Sequence, residues 1–79
     1  MYHAILKIKG NNATYITMSF GKSLEDIKKP RGFFINGDIV WASDIEILEQ
    51  QKTEYSISQA QRAIKNYAQK YSAIYEEIL

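Results

Sequence analysis

Tyr2-His3-Ala4-Ile5-Leu6-Lys7-Ile8-Lys9-Gly10-Asn11-Asn12-Ala13-Thr14-Tyr15-Ile16-Thr17-Met18-Ser19-Phe20 is the stretch on which the fold turns. Residues 2–9 alternate, with Tyr2, Ala4, Leu6 and Ile8 on one side and His3, Ile5, Lys7 and Lys9 on the other, the period of a half-buried strand. Residues 13–20 repeat the pattern through Thr14, Ile16, Met18 and Phe20. The break at Gly10-Asn11-Asn12 makes a hairpin, and the apolar residues choose its register. A two-residue loop pairs Ile8 with Tyr15 and Leu6 with Thr17, setting the second apolar set on the polar side of the first strand. A three-residue loop pairs Ile8 with Thr14, Leu6 with Ile16, Ala4 with Met18 and Tyr2 with Phe20. The second register is expected, with Asn12 in the left-handed conformation such a loop needs.

Further along, residues 21–32 form a polar connection with one helical turn, started by Ser23 and ended before Pro30. A second hairpin follows, in which Phe33-Phe34-Ile35 and Asp38-Ile39-Val40-Trp41 flank Asn36-Gly37, a pair suited to a turn with two positive φ angles. Ser43-Asp44 reads as a tight turn into a short fifth strand over 46–49, since Ile45 and Ile47 alternate with acids. Ile57, Ala60, Ile64, Tyr67, Tyr71, Ile74 and Ile78 recur at spacings of 3 and 4, which predicts an amphipathic helix over 57–78 with a capping box of Ser56 and Gln59. Glu76 and Glu77 sit at the wrong end of that helix for its dipole, so its last turn is expected to fray.

The chain has 79 residues, ten aromatics, 46% hydrophobic residues and no cysteine. It is read as a single domain over 1–79, β-rich through residue 50, with the helix at 56–78. Lack of cysteine removes disulfides, thiolate nucleophiles and zinc-finger ligand sets, and fits a reducing compartment such as the cytoplasm. No apolar run is long enough for a signal peptide or a membrane span, so no membrane partner is expected. The fold class is α+β: a small antiparallel sheet or partly open barrel from two hairpins and a short fifth strand, crossed by the helix. Leu6, Ile8, Ile16, Met18, Phe20, Phe34, Trp41, Ile47, Ile64, Tyr67 and Tyr71 are expected in its core, and an aromatic left outside marks a contact surface.

Catalytic patterns are missing from the sequence. His3 is the only histidine, no nucleophile elbow or phosphate loop is present, and the four glycines stand singly at turns. No metal or cofactor is expected, and the chain is read as non-enzymatic.

Charge supplies two candidate surfaces. Residues 1–31 carry six basic and two acidic groups, a net +4, whereas residues 38–54 carry one basic and five acidic groups, a net −4. Asp38, Asp44, Glu46 and Glu49 form an acidic set able to imitate a phosphate row and occupy a basic groove on a nucleic-acid-handling protein. Tyr71, Tyr75 and Ile78 at the helix end offer bulk for a protein partner or for a second copy, giving a homodimer. The alternative partner is nucleic acid, with Lys7, Lys9 and Tyr15 on the hairpin face and Lys28, Lys29 and Arg31 in the loop as phosphate and base contacts.

Residues 32–48, Gly32-Phe33-Phe34-Ile35-Asn36-Gly37-Asp38-Ile39-Val40-Trp41-Ala42-Ser43-Asp44-Ile45-Glu46-Ile47-Leu48, resemble the last part of an SH3-like small β-barrel: hairpin, tight turn, short closing strand. The resemblance implies a strongly bent five-stranded sheet in a family whose members bind peptides, proteins or nucleic acids. The Lys- and Ile-rich composition is similar to that of small bacterial or phage accessory proteins. Together these give the expected function: a small protein-binding module, in concrete form an inhibitor of a host enzyme such as a defence nuclease, as anti-CRISPR proteins are.

Overall fold

The structure is a computed structural model and describes residues 1–78. Strands β1 (Tyr2–Lys9) and β2 (Thr14–Gly21) form the first hairpin, followed by the single turn α1 (Leu24–Ile27), the second hairpin β3 (Arg31–Ile35) and β4 (Asp38–Ala42), strand β5 (Ile45–Gln51), helix α2 (Ile57–Tyr71) and the two-residue strand β6 (Ile74–Tyr75). The main sheet runs β5-β1-β2-β6, and β3-β4 forms a separate two-stranded sheet. This is a small α+β domain with an open sheet, not a closed barrel.

The first hairpin takes the register rejected above. Ile8 pairs with Tyr15, Leu6 with Thr17, Ala4 with Ser19 and Tyr2 with Gly21. Gly10 N–H donates to the Ala13 carbonyl at 2.9 Å, closing a turn centred on Asn11-Asn12. Asn12 is not left-handed, since Asn36 and Ser72 are the non-glycine residues with positive φ among those described. The physical reason is that the sheet is buried on both faces, so the two apolar sets need not share one. Ala4, Leu6 and Ile8 pack beneath the β3-β4 hairpin with Ile27, Phe33, Ile35, Val40, Ala42 and Ile45. Ile5 and Ile16 face α2 with Tyr55, Ala60, Ile64 and Ala68, and Met18 packs at the margin of that cluster.

Aromatic residues are displaced from the expected core. Phe20, Phe34 and Trp41 are exposed, whereas Leu6, Ile8, Ile16 and Ile64 are fully buried and Met18, Ile47, Tyr67 and Tyr71 are half-buried. In the second hairpin Phe33, Ile35, Val40 and Ala42 point inward. Its two faces are almost equally apolar, so alternation alone could not choose between them. Asn36 and Gly37 take the positive φ angles expected of the turn, 51° and 88°.

The helix stops at Tyr71, seven residues before the expected end. Ser72 adopts the left-handed conformation, with φ 52° and ψ 45°. Its N–H reaches the Gln69 carbonyl, and Ala73 N–H donates to the Ala68 carbonyl at 2.9 Å, a Schellman ending. Ile74 and Tyr75 then pair in parallel with Tyr15 and Ile16 of β2. Pairing with the free side of β2 satisfies backbone groups that a frayed helical turn would leave to water. Ser23 and Ser56 cap α1 and α2 through Asp26 and Gln59 N–H groups. The Gln59 side chain bonds Gln51 instead of completing a capping box.

Candidate protein-docking surface

In the β3-β4 register Phe34 stands opposite Ile39 and Gly32 opposite Trp41. Opposite residues share a face, so Phe34, Ile39 and Trp41 form one contiguous patch on the side away from the core. Their exposures are 70%, 76% and 65%, values that for three large apolar side chains in one cluster require explanation. Each forgoes roughly 1.5–3 kcal/mol of stabilisation that burial would supply. Gly32 adds to the openness of this face, and a Cβ there would come within 3.2 Å of Ile39.

The tip of the patch is acidic. A shallow depression beside Phe34 is lined by Asn36, Gly37, Glu76 and Glu77, and Asp38 begins β4 next to the same turn. Residues 75–77 are fixed there by Asn36, whose Oδ1 accepts Glu77 N–H and whose Nδ2 donates to the Tyr75 carbonyl, both at 2.9 Å. Glu76 faces the other way, its Oε2 accepting from Thr17 Oγ1 at 2.7 Å.

The expected acidic set is not brought together. Asp38 begins β4 and Asp44 lies two residues past its end, both exposed. Glu46 pairs with Lys7 at 3.6 Å, and Glu49 accepts from the Tyr67 hydroxyl at 2.8 Å. Glu49 reaches the helix because β5 carries a bulge: Leu6 pairs with Ile47 and Ile5 with Glu49, so Leu48 is the extra residue and the facing reverses after it. The buried Tyr55 hydroxyl nearby is pushed up to about 12, first by burial and then by the Glu49 charge. Tyr67 is raised by its hydrogen bond to Glu49 and by burial.

The basic set is largely occupied by structural contacts. Arg31 donates to the carbonyls of Ile27 (2.7 Å), Lys29 (2.9 Å) and Asp26 (3.4 Å) and to Ser19 Oγ (2.9 Å), and it stacks on Phe33 at 4.4 Å. Lys29 pairs with Asp26 at 3.0 Å and holds that carboxyl below its ordinary range. Lys7 lies over the Tyr71 ring at 4.4 Å. Lys9 and Lys28 are exposed, and Tyr15 is half-buried against the hairpin-side core. Tyr71 ends α2, Tyr75 lies in β6 and Ile78 follows it, so these three do not share a helix face; all are half-buried against the α2-side core.

The sequence pattern does not single out Ile39, and it assigns Phe34 and Trp41 to the core, whereas all three are exposed. The available signal was apolar character on both faces of one short hairpin, more than a single core can cover. Among the described residues no helix is long and apolar enough to cross a membrane, and no three metal-ligating side chains converge. Comparison with protein families, curated proteins and solved structures finds no match to this chain.

Proposed function

We propose that this chain is a non-enzymatic binding module that docks another protein through the outer face of the β3-β4 hairpin. The observation that carries the reading is the side-by-side exposure of Phe34, Ile39 and Trp41. A tryptophan and a phenylalanine on a strand pair held by the core beneath it give large, rigid contact area at low entropic cost, the character of an interface hot spot. The acids around the tip, Asp38 and Glu77, favour a protein partner with an apolar centre and a basic rim, as nucleic-acid-handling proteins commonly carry. The same acids oppose direct contact with a phosphate backbone, and the engagement of Arg31, Lys29 and Lys7 leaves Lys9 and Lys28 as the unengaged cations of the hairpin-and-loop set among the described residues.

The test is recovery of a stoichiometric complex by the wild-type chain in parallel with a Trp41→Ser variant. Loss of at least about thirtyfold in affinity on Trp41→Ser, roughly 2 kcal/mol, is the expected result. A complex indifferent to Trp41, Phe34 and Ile39, or salt-sensitive retention on single-stranded DNA in place of a protein complex, would overturn the reading.

A further inference from the structure

The backbone of the same hairpin carries a second consequence. In a hairpin with a two-residue turn, the pair beside the turn exchanges both ladder bonds and the next pair exchanges none. Ile35/Asp38, Phe33/Val40 and Arg31/Ala42 therefore bond each other, and Gly32, Phe34, Ile39 and Trp41 direct their N–H and C=O groups outward. The β3-β4 pair bonds to no other strand, and no turn, loop or side-chain hydrogen bond reaches these groups among the described residues.

Strand edges left in this state are usually protected, and elsewhere in this molecule they are. The outer strand β5 has the Leu48 bulge and the polar side chains Glu46, Glu49, Gln50 and Gln51. On the opposite side of the main sheet β6 is only two residues long. Strand β3 is entered from Pro30, with Arg31 tying its start to α1. Strand β4 has none of these devices: no proline, lysine or bulge, and a single charge, Asp38, at its end. An open cleft of about 190 Å³ adjoins it, lined by Ile39, Val40 and Trp41 on one side and Asn11, Asn12 and Tyr15 on the other. The side chains of Asn11 and Asn12 are exposed and make no hydrogen bond among the described residues, so they are available to the far side of an inserted strand.

We infer that the free edge of β4 takes up an extended segment of the partner protein as an added strand. This rests on the docking function proposed above and specifies its mode. Ile39 and Trp41 supply main-chain bonds to the segment, and their side chains select apolar residues at every second position. Asp38 and Asp44 bracket the edge and stand in no ion pair among the described residues, which favours lysine or arginine towards the segment's ends.

The experiment uses a displayed library of random twelve-residue peptides, selected on the intact protein and counter-selected on Trp41→Ser. Amide exchange is then followed by NMR with one enriched synthetic peptide at about ten times its Kd. Strand addition slows the Ile39 and Trp41 amides about tenfold by mass action and leaves Val40, already in the ladder, little changed. Trp41-dependent binding with unchanged Ile39 and Trp41 amides would overturn strand addition while leaving the docking face in place. Slowing of Gly32 and Phe34 instead would move the added strand to β3 and overturn the assignment to β4. Failure to enrich any Trp41-dependent peptide would also overturn it, with the docking reading still judged by recovery of the protein complex.

Discussion

Asn36 holds Glu77 by its side-chain amide while its own backbone, at φ 51°, turns the β3-β4 hairpin. One residue thus joins the tip of the exposed hairpin to the end of the described chain. Asn36→Gly keeps a residue suited to positive φ and deletes both side-chain bonds. The expected result is a folded hairpin, a loss of about 1 kcal/mol in chemical denaturation and faster exchange of the Glu77 amide. Unchanged exchange at Glu77 would show that the bond does not hold that segment.

Thr17 is buried, at 3% exposure, and its hydroxyl donates to Glu76. Glu76→Ala strands that hydroxyl and should cost about 1–3 kcal/mol. In a Thr17→Val background the same change should cost markedly less. A double-mutant cycle with no coupling would rule the bond out as a stabilising contact.

Phe33 and Phe34 are adjacent in sequence and opposite in role. Phe33→Ala should destabilise by about 3–5 kcal/mol, because it empties a core position. Phe34→Ala should stay within about 0.5 kcal/mol of wild type while weakening partner binding. A reversed order in thermal denaturation would place the wrong face of the hairpin inward.

Ser72 ends α2 in the left-handed region, which costs an L-residue roughly 1–2 kcal/mol. Ser72→Gly should therefore raise stability by about 1 kcal/mol once glycine's greater unfolded freedom is deducted. Equal or lower stability would argue against the left-handed ending.

Tyr55 and Tyr67 ionise above the ordinary tyrosine range, Tyr55 at about 12 against 10. With the folded value above the unfolded one, the native state holds its proton more tightly, so the associated stability is full below pH 10 and is lost as pH rises towards 12. Absorbance titration should show these two phenols ionising above pH 10, and denaturation midpoints should fall across that interval. Tyr55→Phe should flatten the fall, and a midpoint independent of pH from 10 to 12 would contradict the raised values.

Where an element depends on local chemistry, it was readable. Asn36-Gly37 specified its turn through positive φ, Ser23 and Pro30 bounded α1, and the 3–4 spacing from Ile57 to Tyr71 gave the helix its buried stripe of Ala60, Ile64 and Ala68. The periodicity continued through Ile74 and Ile78, but Ile74 serves a strand and Ile78 packs at the margin of the α2-side core. Nothing local marks Ser72 as left-handed; the gain comes from pairing with β2, which lies more than fifty residues away.

Composition, hairpins, caps and helix start were thus set by the amino-acid sequence itself, because each follows from the conformational preferences of residues near one another in the chain. Which face of each strand is buried was decided by the tertiary structure. The register of β1 and β2 makes sense only when helix and hairpin cover opposite faces of the sheet, and the choice of Phe33 over Phe34 only when the hairpin lies on Leu6 and Ile8. Burial is a property of the whole packing, so only the assembled fold turns Phe34 and Trp41 from expected core into a surface shared with Ile39.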